Sequence, residues 1–233
     1  MTFRERLIGT LRQLQPVLEE PGVLVVGSEV PNLLQQDAAS TLVVSQDVGL
    51  AVPVDRVEAV KKRLGQVQGL IPSHEEPSVY VPTVPGLIEA NFLGLDPRIR
   101  DASETYVLED PDLPLMVFGP LGLLRPGPVL ELEGLRVPLP RAGDLIAEKL
   151  LTDRTDEKGA RDLLVVAGML IAATPADLDE LIHVAAGLSA ESRHAICSAL
   201  TVLSLMEGRA GMPDPAPVRE MVTHLLSRME AMP

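Results

Sequence analysis

The stretch Val23-Leu-Val-Val-Gly27-Ser28 is a short run of aliphatic residues closed by glycine and serine. Such a run, rich in β-branched residues, is typical of a buried strand. Glycine lacks the Cβ that would block a ligand, and the start of a following helix favours anions. The stretch therefore predicts a strand whose end can bind phosphate groups through Gly27 and Ser28.

A second aliphatic stretch, Ser45-Gln-Asp47-Val-Gly49-Leu-Ala-Val52, follows after a gap of helical length, and we expect a strand over Thr41 to Val52. Residues two apart on a strand share a face, so an Asp-x-Asp pattern would hold divalent cations at bound phosphates. This chain has Asp47 and then Gly49. A Gly49→Asp substitution is therefore expected to strengthen binding of a magnesium nucleotide.

The two stretches together resemble the nucleotidyltransferase superfamily of the DNA polymerase beta type. The more similar branch is related to the toxin component of AbiE abortive-infection systems, whose pattern is Gly-Gly or Gly-Ser, a helix, and Ser/Thr-x-Asp-h-Asp with h apolar. Gly27-Ser28 and Ser45-x-Asp47-Val match this pattern. The resemblance covers roughly Gly22 to Leu170. It implies a nucleotidyltransferase-like α/β (α+β) fold, a mixed sheet with flanking helices, and Mg²⁺ and a nucleoside triphosphate as cofactor and substrate.

A downstream segment, from Asp144 to Leu163, resembles the lysine and aspartate helices of the same family. In that family the lysine and the last aspartate face the nucleotide. The resemblance implies three catalytic residues, Asp47, Lys149 and Asp162. The implied nucleotide-binding residues are Gly27, Ser28, Ser45, Arg154 and Lys158, and the implied metal ligands are Asp47 and Glu89.

The carboxylate set departs from the family pattern. Gly49 occupies the second carboxylate position, and the predicted strand Leu87–Leu93 offers either Glu89 or Asn91 as the third. Mg²⁺ normally takes one or two carboxylates together with substrate phosphates, so a lone carboxylate holds it poorly. Two functions remain open. One is transfer of a nucleoside monophosphate to an unknown acceptor with release of pyrophosphate, and the other is a degenerate module that binds a nucleotide or a protein, as in toxin–antitoxin-like systems.

Several of these residues also have simpler interpretations. Ser28 suits the N-cap of the following helix as well as a phosphate contact. Lys149 lies next to Glu148, and a solvated ion pair between them would contribute little. Asp162 could be an ordinary charge in the first turn of a helix.

The composition of the chain restricts the classes of partner that it is expected to bind. The chain has 233 residues, 46% of them hydrophobic, and a formal net charge of −13. This acidity argues against a large nucleic acid as partner, because such binding needs clustered Lys and Arg.

The single cysteine excludes an intramolecular disulfide. The chain shows neither a secretory signal nor an apolar run long enough to span a membrane, so we expect a cytoplasmic protein. The C-terminal helices could form a homo-oligomer or bind a protein partner.

The predicted organisation is a nucleotidyltransferase-like core over residues 1–140 and a helical subdomain over 141–233 that completes the site. A capping box at Thr2 and Glu5 starts an amphipathic helix that ends near Glu19, or earlier at Pro16. The centre of the chain alternates short strands with proline and includes a hairpin around Glu133-Gly134. The predicted helices of the last third are Asp144–Thr152, Lys158–Ala173, Pro175–Ala186, Ala190–Met206 and Val218–Met229. Thr174 before Pro175 and Ser189 before Ala190 are predicted N-caps of two of these helices.

Overall fold

A computed structural model describes residues 2–34, 47–99, 103–152, 156–208 and 214–231. The chain divides into two units. Unit 1 comprises Met1–Val30 and Ser45–Pro140, and unit 2 comprises Pro31–Val44 and Arg141–Pro233. The strands belong to unit 1 and the long C-terminal helices to unit 2.

Two consecutive helices open unit 1, α1 (Phe3–Gln13) and α2 (Gln15–Leu18). The predicted capping box is confirmed, because Thr2 Oγ1 accepts from the Glu5 amide and the Thr2 amide donates to Glu5 Oε2 at 2.7 Å. The helix ends at Gln13 and not near Glu19, because Pro16 has no N–H to continue the hydrogen-bond ladder of α1. The predicted apolar face is buried at Leu7, Leu11, Leu14 and Leu18.

The main sheet contains both parallel and antiparallel strand pairs. Five of its strands lie in the order β1-β2-β5-β4-β3, β7 also pairs with β5, and β6 pairs with β7. The pairs β2–β5 and β5–β7 are parallel, and the others are antiparallel. The sequence missed β3. The strands are β1 (Leu24–Val26), β2 (Asp47–Pro53), β3 (Leu70–Pro72), β4 (Val79–Pro82), β5 (Glu89–Leu95), β6 (Thr105–Leu108) and β7 (Leu115–Phe118).

The first part of the predicted strand Thr41 to Val52 lies outside the described residues, and β2 is described from Asp47. A short helix, α3 (Val30–Leu34), follows β1, and α4 (Val57–Leu64) follows β2 after a 3₁₀ turn at Val54–Arg56. Helix α4 packs against β2 and α2. The described core of the sheet is mainly aliphatic, and its two aromatic rings, Phe92 and Tyr80, meet edge to face.

The predicted hairpin around Glu133-Gly134 is confirmed. It forms a separate two-stranded sheet from β8 (Pro126–Leu132) and β9 (Leu135–Pro140), and β9 packs against β1. Both turn residues have positive φ, 51° at Glu133 and 79° at Gly134. Such a two-residue turn is type I′, which favours Asn-Gly.

Glu133→Asn is expected to stabilise the protein by about 0.5–1 kcal/mol, because Asn adopts the left-handed conformation with less strain than Glu. The ion pair that would be lost, Arg12 to Glu133 at 3.9 Å, joins two exposed side chains and contributes little. Urea unfolding at neutral pH would measure the change. A loss of stability in this variant would contradict the type I′ assignment.

Unit 2 contains five described long helices, among which α5 packs against α6, α7 and α8. The predicted N-caps at Thr174 and Ser189 are confirmed, since their hydroxyls accept from the amides of Asp177 and Ser192. The last helix begins three residues before its predicted start, because Asp214 caps it ahead of Pro215. The helices are α5 (Ala142–Leu151), α6 (Asp156–Ala172), α7 (Pro175–Ala186), α8 (Ala190–Ser204) and α9 (Pro215–Glu230).

The predicted α/β class, a mixed sheet with flanking helices followed by C-terminal helices, is confirmed by these elements. Within the described part of the chain, no helix combines the length and apolar character needed to cross a membrane.

Candidate functional site

The site candidates of unit 1 meet at one end of the strand pair β1–β2. These strands are antiparallel with Val26 opposite Gly49, so the chain leaves β1 beside the first described residues of β2. Gly27 and Ser28 follow β1, and Asp47 is the first described residue of β2. The pairing therefore places the predicted phosphate-binding residues next to the predicted metal ligand.

The neighbouring parallel strand β5 adds two polar side chains to Asp47. The register pairs Asp47 with Glu89 and Gly49 with Asn91. The Asn91 side chain donates a hydrogen bond from Nδ2 to Asp47 Oδ2, and Glu89 is exposed at the strand end. Among the described residues, Asn91 Oδ1 is buried and has no hydrogen-bond partner. Asp47 is thus bound to an amide whose carbonyl oxygen is still available.

Gly49 is required by the close approach of the two backbones. A Cβ at residue 49 would lie 2.6 Å from the carbonyl oxygen of Val26, a distance that real Cβ atoms do not reach. A side chain there would force β1 and β2 apart. The expectation that Gly49→Asp strengthens binding of a magnesium nucleotide is therefore contradicted by this strand pairing.

Glu29 is a buried acid beside this strand end that the sequence analysis missed. Its side chain is 2% exposed, and Ser28 Oγ donates to Glu29 Oε1 at 2.7 Å. Burial raises the pKa of Glu29 to about 7, and the charge of Asp47 also raises it. The Ser28 hydroxyl and the backbone N–H groups of Glu29 and Gly49 lower it. Glu29 therefore lies close to Asp47 and to the backbone of Gly49.

The Glu29 carboxylate also occupies the space over Gly27. Gly27 has φ 114°, and a Cβ built there would lie 2.8 Å from Glu29 Oε2. Only glycine fits this conformation and this contact. In the sequence, Glu29 had no signal beyond its place after Gly-Ser, since neither periodicity nor spacing distinguishes it from a surface acid.

Unit 2 has its own buried charged cluster, between α5 and α6. Lys149 Nζ lies 3.1 Å from Glu148 Oε2 and 3.8 Å from Asp162 Oδ1, and all three side chains are at least nine-tenths buried. Thr152 Oγ1 donates to Glu148 Oε1 at 3.1 Å. The interpretation of Lys149 and Glu148 as a solvated pair is wrong, because the pair is buried. The structure brings the predicted residues Lys149 and Asp162 together.

Three predicted nucleotide-binding residues cannot be placed. Ser45 and Arg154 lie outside the described residues, and Lys158 lies in α6 with its side chain outside them. Within the described ranges, no group of three His, Cys, Asp or Glu side chains is arranged to hold a metal ion.

Comparison with known proteins found no matching family model and no matching curated protein. Among solved structures, the chain is similar to a crystal structure of a "putative nucleotidyltransferase from H. pylori". The alignment covers 97% of this chain and 96% of that chain, with 13% sequence identity and a TM-score of 0.39. A likeness this distant carries no conclusion about activity.

Proposed function

We propose that this protein is nucleotidyltransferase-like. Its strand-end cluster, Gly27, Ser28, Asp47 and Asn91, would bind a nucleoside triphosphate with a divalent cation. The observation that carries this proposal is the antiparallel pairing of β1 with β2, which sets the Gly-Ser turn beside Asp47. Neither the Gly-Ser turn nor the aspartate on β2 is specific for nucleotide binding by itself. Their adjacency in unit 1 supports one site for phosphate and cation.

The residues at Asp47 fit Mg²⁺ by their chemistry. Mg²⁺ prefers hard oxygen ligands and commonly uses one or two carboxylates with phosphates and water. Asp47 offers a carboxylate, and Asn91 Oδ1 is a buried carbonyl oxygen that lacks a partner among the described residues. Glu89, opposite Asp47 in the register, is an exposed third candidate. Bound there, the cation would neutralise phosphate charge.

The remaining roles are proposed on the resemblance to nucleotidyltransferases. Lys149 would neutralise charge on the phosphates, and Asp162 would act with it in catalysis. Ser45, Arg154 and Lys158 would contact the nucleotide. The transfer step would be attack of an acceptor hydroxyl on the α-phosphorus, with release of pyrophosphate and a proton.

A second candidate function is nucleotide binding without transfer. Gly49 cannot carry a carboxylate, and the Asn91 amide is neutral and already donates to Asp47. Both observations weaken a site that must hold two catalytic cations. In this case a second copy or a protein partner, bound through the C-terminal helices, would carry the biological role.

The first test is calorimetric titration of the protein with each ribonucleoside triphosphate in Mg²⁺ and in Mn²⁺. We expect cation-dependent binding, and we expect Asp47→Asn to weaken it at least about tenfold by removing the ligand charge. Asp55→Asn is the matched control, since Asp55 is 77% exposed in the same unit. Equal nucleotide affinity in wild type and Asp47→Asn would overturn the proposed function.

The two candidates are separated by following the α-phosphate. A triphosphate labelled at that position is incubated with the protein, and the label is traced into protein, RNA or small acceptors. Incorporation that Asp47→Asn abolishes would establish transfer. Tight binding with release of neither pyrophosphate nor labelled product would favour the binding module.

A further inference from the structure

We infer that Glu29 supplies the second carboxylate of the cation site at Asp47, in place of the side chain that Gly49 lacks. Because Asp47 is the other carboxylate ligand, this inference rests on the proposed function and extends it to a residue that the family pattern does not predict.

The strand pairing shows why the second carboxylate cannot come from β2 itself. A Cβ at residue 49 would lie 2.6 Å from the Val26 carbonyl oxygen, so the close approach of β1 and β2 excludes a side chain there. Directly after β1 the chain turns at Gly27, and Glu29 reaches back over that glycine. Its carboxylate lies near the Gly49 amide. The carboxylate of Glu29, which follows β1, thus lies near the position on β2 where Gly49 has no side chain.

Burial of Glu29 points to a ligand. The side chain is 2% exposed, and within the described part of the chain its Oε2 atom is buried with no well-formed hydrogen bond. A buried carboxylate oxygen without a partner is energetically unfavourable. Ser28 binds only the other oxygen, Oε1, at 2.7 Å. Oε2 is therefore available for a cation.

A second unpartnered oxygen lies on the other side of β2. Asn91 Oδ1 is buried without a partner among the described residues, and Asn91 pairs with Gly49 across β2–β5. Adjacent strands are about 4.8 Å apart. Strand β2, with Asp47 at its start, thus runs between Glu29 and Asn91. Two like charges close together repel, and a shared cation removes that repulsion. The ligand set would be two carboxylates and one amide oxygen, which suits Mg²⁺ or Mn²⁺.

The experiment measures Mn²⁺ binding without nucleotide, using the electron paramagnetic resonance signal of free Mn²⁺. Wild type is compared with Glu29→Gln, Asp47→Asn and Glu131→Gln. Gln keeps the size of Glu29 and can still accept from Ser28, so the fold should persist, and circular dichroism with thermal unfolding checks this. Glu131→Gln is the matched control, because Glu131 is 67% exposed on the hairpin.

We expect Glu29→Gln to weaken Mn²⁺ binding at least about tenfold, Asp47→Asn to weaken it by as much or more, and Glu131→Gln to leave it unchanged. Unchanged affinity in Glu29→Gln with loss in Asp47→Asn would overturn the role of Glu29 and leave the proposed function intact. Absence of Mn²⁺ binding in wild type would overturn the Glu29 site, while the nucleotide titration decides the proposed function separately.

Discussion

Lys149→Met is expected to lower the free energy of unfolding by about 3–5 kcal/mol, the range for removing one partner of a buried ion pair. Lys149 is the cation beside Glu148 and Asp162, which are both buried. Without it, two carboxylates lose an attractive partner in a low-dielectric setting. Urea unfolding followed by circular dichroism gives the value.

The control for Lys149 is an exposed ion pair of the same unit. Asp179 is 65% exposed and pairs with Arg228 at 2.7 Å. Asp179→Asn should change stability by no more than about 1 kcal/mol, since exposed pairs contribute little. The double variant Glu148→Gln with Lys149→Met should recover part of the lost stability, because it also removes the buried negative charge of Glu148. A loss below 1 kcal/mol in Lys149→Met would contradict a buried charged cluster.

Gly49→Ala is expected to destabilise the protein by about 2–4 kcal/mol. A single methyl group at residue 49 meets the Val26 carbonyl at 2.6 Å, and a backbone atom cannot move away as a flexible side chain can. Overpacking typically costs about 1–3 kcal/mol, and more where the neighbour is rigid. Thermal and urea unfolding would both report the loss.

Gly65→Ala is the matched control for Gly49→Ala. Gly65 follows α4 in the right-handed helical region, and the nearest contact of an added Cβ is an ordinary 3.5 Å to Lys62 O. Alanine there should change nothing or stabilise by up to about 1 kcal/mol, because it restricts the unfolded chain. Equal effects of the two substitutions would show that β1 and β2 do not approach as closely as the register requires.

The same geometry reverses the expectation for Gly49→Asp. A carboxylate at residue 49 should disrupt the β1–β2 pairing and weaken nucleotide binding. Improved binding of a magnesium nucleotide by this variant, together with unchanged stability, would contradict the structure of the strand pair.

Much of the local structure could be predicted because its causes lie within a few residues. The capping box at Thr2 depends on a hydroxyl and a carboxylate three residues apart, and the N-cap at Thr174 depends on a hydroxyl directly before the helix. The Glu133-Gly134 hairpin depends on a turn that needs positive φ. Helix ends were predicted less accurately where a proline or a capping residue sets the boundary, as at Pro16 and at Asp214 before Pro215.

The candidate site was predicted only in part. Asp47 was proposed from its match to the Ser/Thr-x-Asp-h pattern, and the structure places it in β2 beside Asn91. Glu29 was missed, because its importance depends on burial against Gly27 and on the charge of Asp47. The burial of Lys149 was also missed, since the position of a charged side chain between two helices depends on how those helices pack.

The sequence by itself determined the strand that precedes Gly27-Ser28 and the capped helices of the last third. Each follows from interactions between residues near one another in the chain. Only the tertiary structure decided that β1 runs antiparallel to β2, that Gly49 must be glycine, and that Glu29 lies beside Asp47. These depend on which backbones approach each other, because close packing admits or excludes a side chain by distances of a few tenths of an ångström.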